Sequence, residues 1–349
     1  MAQKGAERSV SQRDVAEHAG VSVSAVSMAL AGHPRIGATT RRQIEEAAEE
    51  LGYVVNSAAK ALRGQRSGSI ALIIPNTGQH VFGHPYFSRL MVGVSDVVNN
   101  HDATLILSTN PDERHGVAAY ERVLRSRAAD GAIVASAAAE DSQVLRLVDS
   151  GLPVVLVGRF PRVPDAVSVG IDDIEGSRAA TEHLLRDHGL RRVAHIAGPL
   201  EHQTALDRLA GYRRAFTDLG LKPPVLTVTG DFDEESGRAA TRALLATGKL
   251  EGIVAANDEM AYGALVELRA QGLRVPQDVA LIGFDDFGIA RLPTPALSTV
   301  TVPAVDLGRL AAQCLFSVID QDPPQNRHQS LPVALTIRAS CGCPDPPPS

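Results

Sequence analysis

Cysteine is scarce in this chain. Three occur in 349 residues, Cys314, Cys341 and Cys343, too few for a disulfide framework and in no zinc pattern. Cys341-Gly-Cys343 is too tightly spaced for the usual C-x2-C metal knuckle. Both thiols therefore read as surface or packing groups, and neither a metal nor a cofactor is expected. Long hydrophobic runs are missing too. No apolar stretch approaches the roughly 18 residues needed to cross a bilayer. Residues 1–12 are polar and lack the apolar segment of a signal peptide, so a cytoplasmic protein with no membrane partner is expected. Charge of one sign is also absent. Thirty-four Lys and Arg against 40 Asp and Glu leave a net −6, so any contact with nucleic acid must come from a local patch. The chain has no G-x-G-x-x-G after its first strand, no G-x4-G-K-[ST], no G-x-S-x-G and no H-E-x-x-H. With no cluster suggesting a nucleophile and base, an enzyme is not expected.

Length allows two or three domains, and 44% hydrophobic with 21% charged residues is an ordinary globular balance. From residue 69 short apolar runs alternate with longer amphipathic stretches. SIALIIP (69–75), ATLILS (103–108), GAIVAS (131–136) and PVVLVG (153–158) form one set. RRVAHIAG (191–198), VLTVTG (225–230), GIVAAN (252–257) and VALIGFDD (279–286) form a second. Continuous apolar runs of this length between helices predict buried parallel strands in βαβ units. Two sets predict two doubly wound lobes.

Before residue 55 no convincing strand occurs, with one ambiguity. In GVSVSAVSMAL (20–30), Val21-Ser22-Val23-Ser24 alternates like a strand, but Val26 breaks the alternation. As a helix, the run puts Val26, Ala29 and Leu30 on one face and Ser24, Ser27 and Met28 on another. Ser22 is then an N-cap and Gly20 supplies the positive φ of a tight turn. A preceding helix carries Val15, Ala16 and Ala19. A following one, capped by Thr39 or Thr40, carries Ile44, Ala47, Ala48 and Leu51 before Gly52. Three such helices suit a DNA-reading module, with a helical dimerisation or capping subdomain as the alternative.

RDVAEHAGVSVSAVSMALAG, TTRRQIEEAAEELGY, NSAAKALRG, VPQDVALIGFDD and TPALSTVTVP resemble the lactose-repressor (LacI/GalR) family of bacterial transcriptional regulators from residue 10 to 340. GPLEHQTALDRLAGY (198–212) and GDFDEESG (230–237) are most similar to its purine-repressor branch. The resemblance implies an all-α helix-turn-helix headpiece (1–55) and a hinge helix or linker (56–68). It further implies an α/β two-lobed, periplasmic-binding-protein-like core (69–340) with two doubly wound parallel sheets. The N-lobe is expected at about 69–168 and 300–322, and the C-lobe at about 169–299 and 323–340. Residues 341–349, Pro-rich, read as a disordered tail without a leucine heptad, so a dimer is expected rather than a tetramer.

It also implies a repressor that binds a pseudo-palindromic operator as a homodimer and is released by a small effector. On the headpiece the implied DNA contacts are Ser22, Val23, Ser24, Ser27 and Met28, with Arg35 and Arg41 nearer phosphate. On the hinge they are Asn56, Lys60, Leu62 and Arg63, Leu62 wedging into the minor groove. Two departures stand out. Met28 occupies the place of an arginine that typically contacts guanine, and Val55 that of a proline preceding the hinge.

In two-lobed α/β proteins ligands bind at strand carboxyl ends, between the lobes. Arg159, Asn257, Asp258 and Asp285 directly follow strands. The effector contacts implied by the resemblance are Tyr86, Phe87, Arg159, His202, Thr204, Arg208, Phe232, Asn257 and Asp285, a set suited to a sugar or nucleobase. Asp172 and Asp258 are equally plausible as N-caps, Asp233 suits a helix cap better than a calcium loop, and His80 and His84 do not suit a metal. His202 replaces an arginine of the purine-responsive branch, which favours a sugar or sugar derivative over a nucleobase corepressor. A solute-binding protein is the more remote alternative, because it would leave the headpiece unexplained.

Overall fold

The computed structural model describes residues 10–30, 33–53, 66–112, 116–224 and 226–344, which divide into two compact units meeting at residues 65 and 66. The hinge candidates Asn56, Lys60, Leu62 and Arg63, with Val55, lie outside the described residues.

The described residues of the first unit form a three-helix module. Helix α1 (Gln12–His18) is entered at Ser11, whose backbone N–H and hydroxyl both donate to Asp14 Oδ2, at 2.7 and 2.6 Å. That interaction satisfies a donor the first helical turn would otherwise leave free. Gly20 turns the chain at φ +64°, and Ser22 Oγ accepts from the Ala25 N–H at 3.1 Å to start helix α2 (Val23–Leu30). The alternating run is thus helical, because Val26 and Ala29 must both reach the core and only a 3.6-residue period puts them there. Helix α3 (Ala38–Glu50) starts earlier than Thr39 or Thr40 would place it, after Gly37 in extended backbone. Val15, Ala16, Ala19, Val26, Ala29, Ile44, Ala47 and Ala48 form the core.

Among the described residues the second unit holds twelve strands in two sheets. The first has the order β11-β5-β4-β3-β1-β2 and the second β12-β10-β9-β8-β6-β7. In chain order, β1 (Ser69–Thr77), β2 (Thr104–Asn110), β3 (Gly131–Ala135), β4 (Val154–Val157), β5 (Val167–Ile171) and β11 (His328–Leu331) build the N-lobe. The C-lobe takes β6 (Val193–Ala197), β7 (Thr227–Thr229), β8 (Gly252–Ala255), β9 (Ala280–Asp285), β10 (Ser298–Thr301) and β12 (Ala334–Thr336). All pairings are parallel except β10 with β12. Strand β3, fully buried along its length, has helices on both faces of its sheet. That explains its unbroken apolar run.

The lobe limits differ from those expected. All of β5 belongs to the N-lobe and all of β10 to the C-lobe, while β11, assigned by sequence to the C-lobe, pairs with β5. The chain crosses between lobes at 172, 302–303 and 332–333. Short strands near such crossings carry no marker of the sheet they join. The tail needs a second correction. Ala339–Cys341 forms a 3-10 turn and Cys341 is 1% exposed in the C-lobe core, so order extends past residue 340. Arg66, within the sequence's linker, donates to Asp320 at 2.7 Å and to the Ile319 carbonyl at 2.8 Å, tying the start of this unit to its own core.

His195, central in β6, is fully buried. Its ring lies on Tyr212 with centroids 5.0 Å apart, and Nδ1 is 2.8 Å from the Val254 carbonyl. Burial lowers its pKa from 6.5 to about 4. The unfolded chain therefore takes up a proton below pH 6.5 that the folded chain declines until about pH 4. Stability is intact above that window and falls by about 3 kcal/mol across it. His195→Asn, which keeps a donor for Val254, should flatten this part of the stability–pH curve in denaturant titrations. An unchanged curve would show that His195 is not the group responsible.

Candidate functional site

The carboxyl ends of both sheets face one cleft enclosing about 910 Å³ of empty space, part of it open to solvent. Each strand end delivers a few residues to it. Gly158, Arg159 and Phe160 follow β4, Asp173 follows β5, and His202, Gln203 and Thr204 come from the loop and helix after β6. Phe232 follows β7 and Asp285 ends β9.

Arg208, on the helix Gln203–Asp218, dominates the electrostatics. It is 6% exposed, and its guanidinium lies 3.7 Å from the centroid of the Phe284 ring. Nε donates to Asp173 Oδ1 at 2.8 Å, Nη1 donates to the Ala256 carbonyl, and Nη1 is 3.6 Å from Asp285 Oδ1. Burial pushes both carboxyls above their ordinary range, while Arg208 pulls them back toward the charged form. Tyr86 lies under the same influence: burial and the two carboxylates keep its phenol protonated, a hydrogen-bond donor at any ordinary pH. Arg159 grips Asp207 through two bonds, Nε to Oδ2 at 2.9 Å and Nη2 to Oδ1, and Gln203 donates to the same carboxylate. Because Arg159 is on the N-lobe and Asp207 on the C-lobe, this pair spans the cleft.

Backbone shape supports the rest. Asp285 and Asp286 have φ of +119° and +60°, conformations that L residues adopt at a cost. The turn is held by Asp258, whose Oδ2 accepts from the Asp286 N–H at 2.7 Å and Oδ1 from the Thr299 hydroxyl at 2.6 Å. Burial raises the Asp258 carboxyl to about 7. Phe232, itself at φ +59°, lies flat against Gly198, where an added Cβ would sit 2.1 Å from the ring. Glycine is thus required for the aromatic wall.

Most expected effector residues line this cleft: Tyr86, Phe87, Arg159, His202, Thr204, Arg208, Phe232 and Asp285. Asn257 does not. Its Oδ1 caps the helix Asp258–Ala270 by accepting from the Met260 N–H, and its Nδ2 donates to the Phe232 carbonyl and Glu259. Asn257 therefore positions the wall, and Asp258 is a buried prop rather than the cap. Asp172 and Asp233 do cap their helices. Residues missed by sequence include Asp173, Gln203, Phe160 and His84. Asp173 had a signal, since it follows β5 as closely as Arg159 follows β4; the adjacent cap residue Asp172 masked it.

His84, from the N-lobe, lies 3.3 Å from Asn257 Nδ2 and 3.6 Å from Glu259. Burial lowers its pKa to about 4, so it is neutral near pH 7. His84, Glu259 and Asp285 are close enough to share a cation, but the fixed guanidinium of Arg208 beside Asp285 opposes one.

On the headpiece, Val23 is 43% exposed and Ser24 and Arg35 are exposed, whereas Ser27 and Met28 are half-buried. Ser22 is occupied as the α2 cap. Arg41 donates to the His33 carbonyl at 3.0 Å, bracing the α2–α3 loop rather than projecting free.

A helix-turn-helix unit joined to a two-lobed core with a polar interlobe cleft defines a ligand-responsive DNA-binding transcriptional regulator. Residues 12–56 match the family described as bacterial regulatory proteins, lacI family, and residues 181–341 match a periplasmic binding protein-like domain. The chain is 35% identical to the HTH-type transcriptional regulator CelR of Thermobifida fusca, over 93% of this chain and 96% of CelR. It is 31% identical to the ribose operon repressor of Escherichia coli K12, over 94% and 98%. Among solved structures, a CelR–cellobiose complex superposes with a TM-score of 0.74 at 32% identity, covering 95% of this chain and 99% of that one. The Lac repressor dimer bound to operator and the anti-inducer ONPF gives 0.82 at 26%, covering 96% and 99%. The chain belongs to the lacI family of bacterial regulatory proteins. No helix among the described residues is long and apolar enough to cross a membrane.

Replacing Arg208 with methionine should leave Asp173 and Asp285 buried without their cation and cost about 3–5 kcal/mol. Part of that should return at acid pH as the carboxyls protonate. Urea unfolding at two pH values measures both, and a loss below about 1 kcal/mol would remove Arg208 from the centre of the site.

Proposed function

We propose that this protein is a homodimeric repressor whose cleft takes a neutral sugar, and that the sugar releases it from a pseudo-palindromic operator. It acts by binding alone, without catalysis. The observation carrying the ligand class is that both cleft arginines are already matched by carboxylates, Arg208 by Asp173 and Asp285 and Arg159 by Asp207. A phosphate or carboxylate ligand would need a spare cation. A neutral polyol needs what the cleft offers: carboxylates that accept from hydroxyls, arginine N–H groups that donate, and aromatic faces for the C–H side of a ring. The cellobiose named with CelR and the ribose operon named with another relative fit the same class.

Release follows from lobe closure. The Arg159–Asp207 pair, the His84–Asn257 contact and a 2.8 Å bond from the Ala139 N–H to the Glu201 carbonyl all bridge the lobes. A sugar that adds contacts to both walls favours the closed form, and only such differential affinity can shift the DNA-bound state. On the DNA side, Val23, Ser24 and Met28 read bases, with Ser27 and Arg35 nearer phosphate. Asn56, Lys60, Leu62 and Arg63 act at the operator centre.

Thermal unfolding against neutral mono- and disaccharides, their phosphates and nucleobases tests the ligand class. A sugar at about 100 times its Kd should add about 2.7 kcal/mol, with the shift lost in Asp285→Ala. Stabilisation by a nucleobase, or by sugar phosphates alone, would overturn the proposal. Separately, binding-site selection with random DNA should yield half-sites without guanine preference opposite Met28. Met28→Arg should then restore that preference by about 1–3 kcal/mol. Selection of guanine there by the natural protein would remove Met28 from the reading surface.

A further inference from the structure

A second polar cluster lies outside the cleft, at the far end of the helix that begins with Asp173. That helix ends at Glu182 and passes into a π-helical turn, His183–Asp187, followed by His188. In an α-helix residues five apart point in different directions; the wider π turn brings them back to one side, a geometry that recurs at functional sites. Here it sets the rings of His183 and His188 edge to face, with centroids 4.8 Å apart and their Nε2 atoms 3.2 Å apart. The chain end arrives opposite them. Ser340 is pinned by its hydroxyl, which donates to the Leu281 carbonyl at 2.6 Å and accepts from the Ser298 N–H at 2.8 Å. Gly342, at φ +105°, then turns the chain so that Cys341 and Cys343 face the same point. A Cβ on Gly342 would lie 3.3 Å from the His188 ring, a tight contact, and the positive φ already disfavours a side chain there.

We propose that His183, His188, Cys341 and Cys343 form a tetrahedral zinc site that clamps the C-terminal segment to the C-lobe. All four ligand atoms lie within 4.8 Å of one another. Around a zinc ion with ordinary bond lengths, tetrahedral geometry sets N···N at about 3.3 Å and S···N at about 3.5 Å. The observed separations are 3.2 Å between the imidazole nitrogens, and 3.6 and 3.4 Å from Cys343 Sγ to His183 and His188. An outer carboxylate orients one of the two imidazoles as well. His183 Nδ1 is 2.8 Å from Asp187 Oδ2, a carboxylate that fixes the ring so that Nε2 points at the cluster, as in most zinc-bound histidines. Two thiolates and two neutral imidazoles balance a divalent ion, and binding releases the two thiol protons. Soft sulfur with imidazole in a tetrahedron selects zinc over hard cations. The spacing Cys-x-Cys that is too tight for a zinc knuckle by itself is sufficient here because the other two ligands come from about 150 residues earlier in the chain.

The test is cobalt(II) titration of the full-length, tag-free, reduced protein, read by absorption. Tetrahedral cobalt with thiolate ligands gives intense visible d–d bands and a near-ultraviolet sulfur-to-metal charge-transfer band. Saturation at one equivalent, loss of the bands on adding zinc, and their loss in both Cys343→Ser and His188→Ala are expected. Cys343 is only partly buried, so its serine variant should fold normally, as far-ultraviolet circular dichroism would verify. The carboxylate-rich cluster in the cleft cannot mimic the result, since it has no sulfur and yields no charge-transfer band. Absence of that band in the natural protein, or its survival in Cys343→Ser, would overturn the proposal.

Discussion

The buried guanidinium of Arg208 is the constraint on which the C-lobe end of the cleft depends. An arginine this deep is tolerated only if its charge and donors are met on several sides. It is met by Asp173 after β5, Asp285 at the end of β9, the Ala256 carbonyl after β8, and the face of Phe284. Those partners come from separate segments, so the strand ends must converge for the cation to be stable at all. The left-handed turn at Asp285–Asp286 and its prop, Asp258, follow from the same requirement, because an ordinary strand exit would carry Asp285 away from Arg208.

That polar centre is made by the C-lobe alone. The N-lobe reaches across through Arg159, His84 and the backbone at Ala139. Tyr86 and Arg89 also pack on the Phe287 ring of the C-lobe, while each lobe keeps a continuous apolar core of its own. The helix running from Asp173 at the cleft to His183 links the recognition surface to the chain terminus, and a metal there would hold that helix at both ends.

Much of this was legible in the residues. The helical reading of 20–30 rested on Val26 and Ala29 needing one face, a local periodicity that survives into the fold. The βαβ alternation and the residues after each strand led to Arg159 and Asp285, because strand ends in such sheets point at the cleft. Arg208, His202 and Phe232 came from resemblance rather than from spacing. Three expectations differ from the structure. The resemblance implies a ligand contact for Asn257, which is a helix cap; it places β11 in the C-lobe, whereas β11 pairs with β5 in the N-lobe; and the Pro-rich composition of 341–349 suggests disorder, although Cys341 is buried.

By itself, then, the sequence determined the elements and their class: a three-helix headpiece, a two-lobed α/β core, and polar residues stationed at strand ends. Those follow from hydrophobic period, caps and breakers, which act over a few residues. The tertiary structure alone decided which sheet each crossing strand joins, which of two neighbouring aspartates, Asp172 or Asp173, enters the cleft, and that His183 and His188 meet Cys341 and Cys343. Each of these depends on contacts between residues far apart in the chain, and their geometry exists only once the lobes have packed.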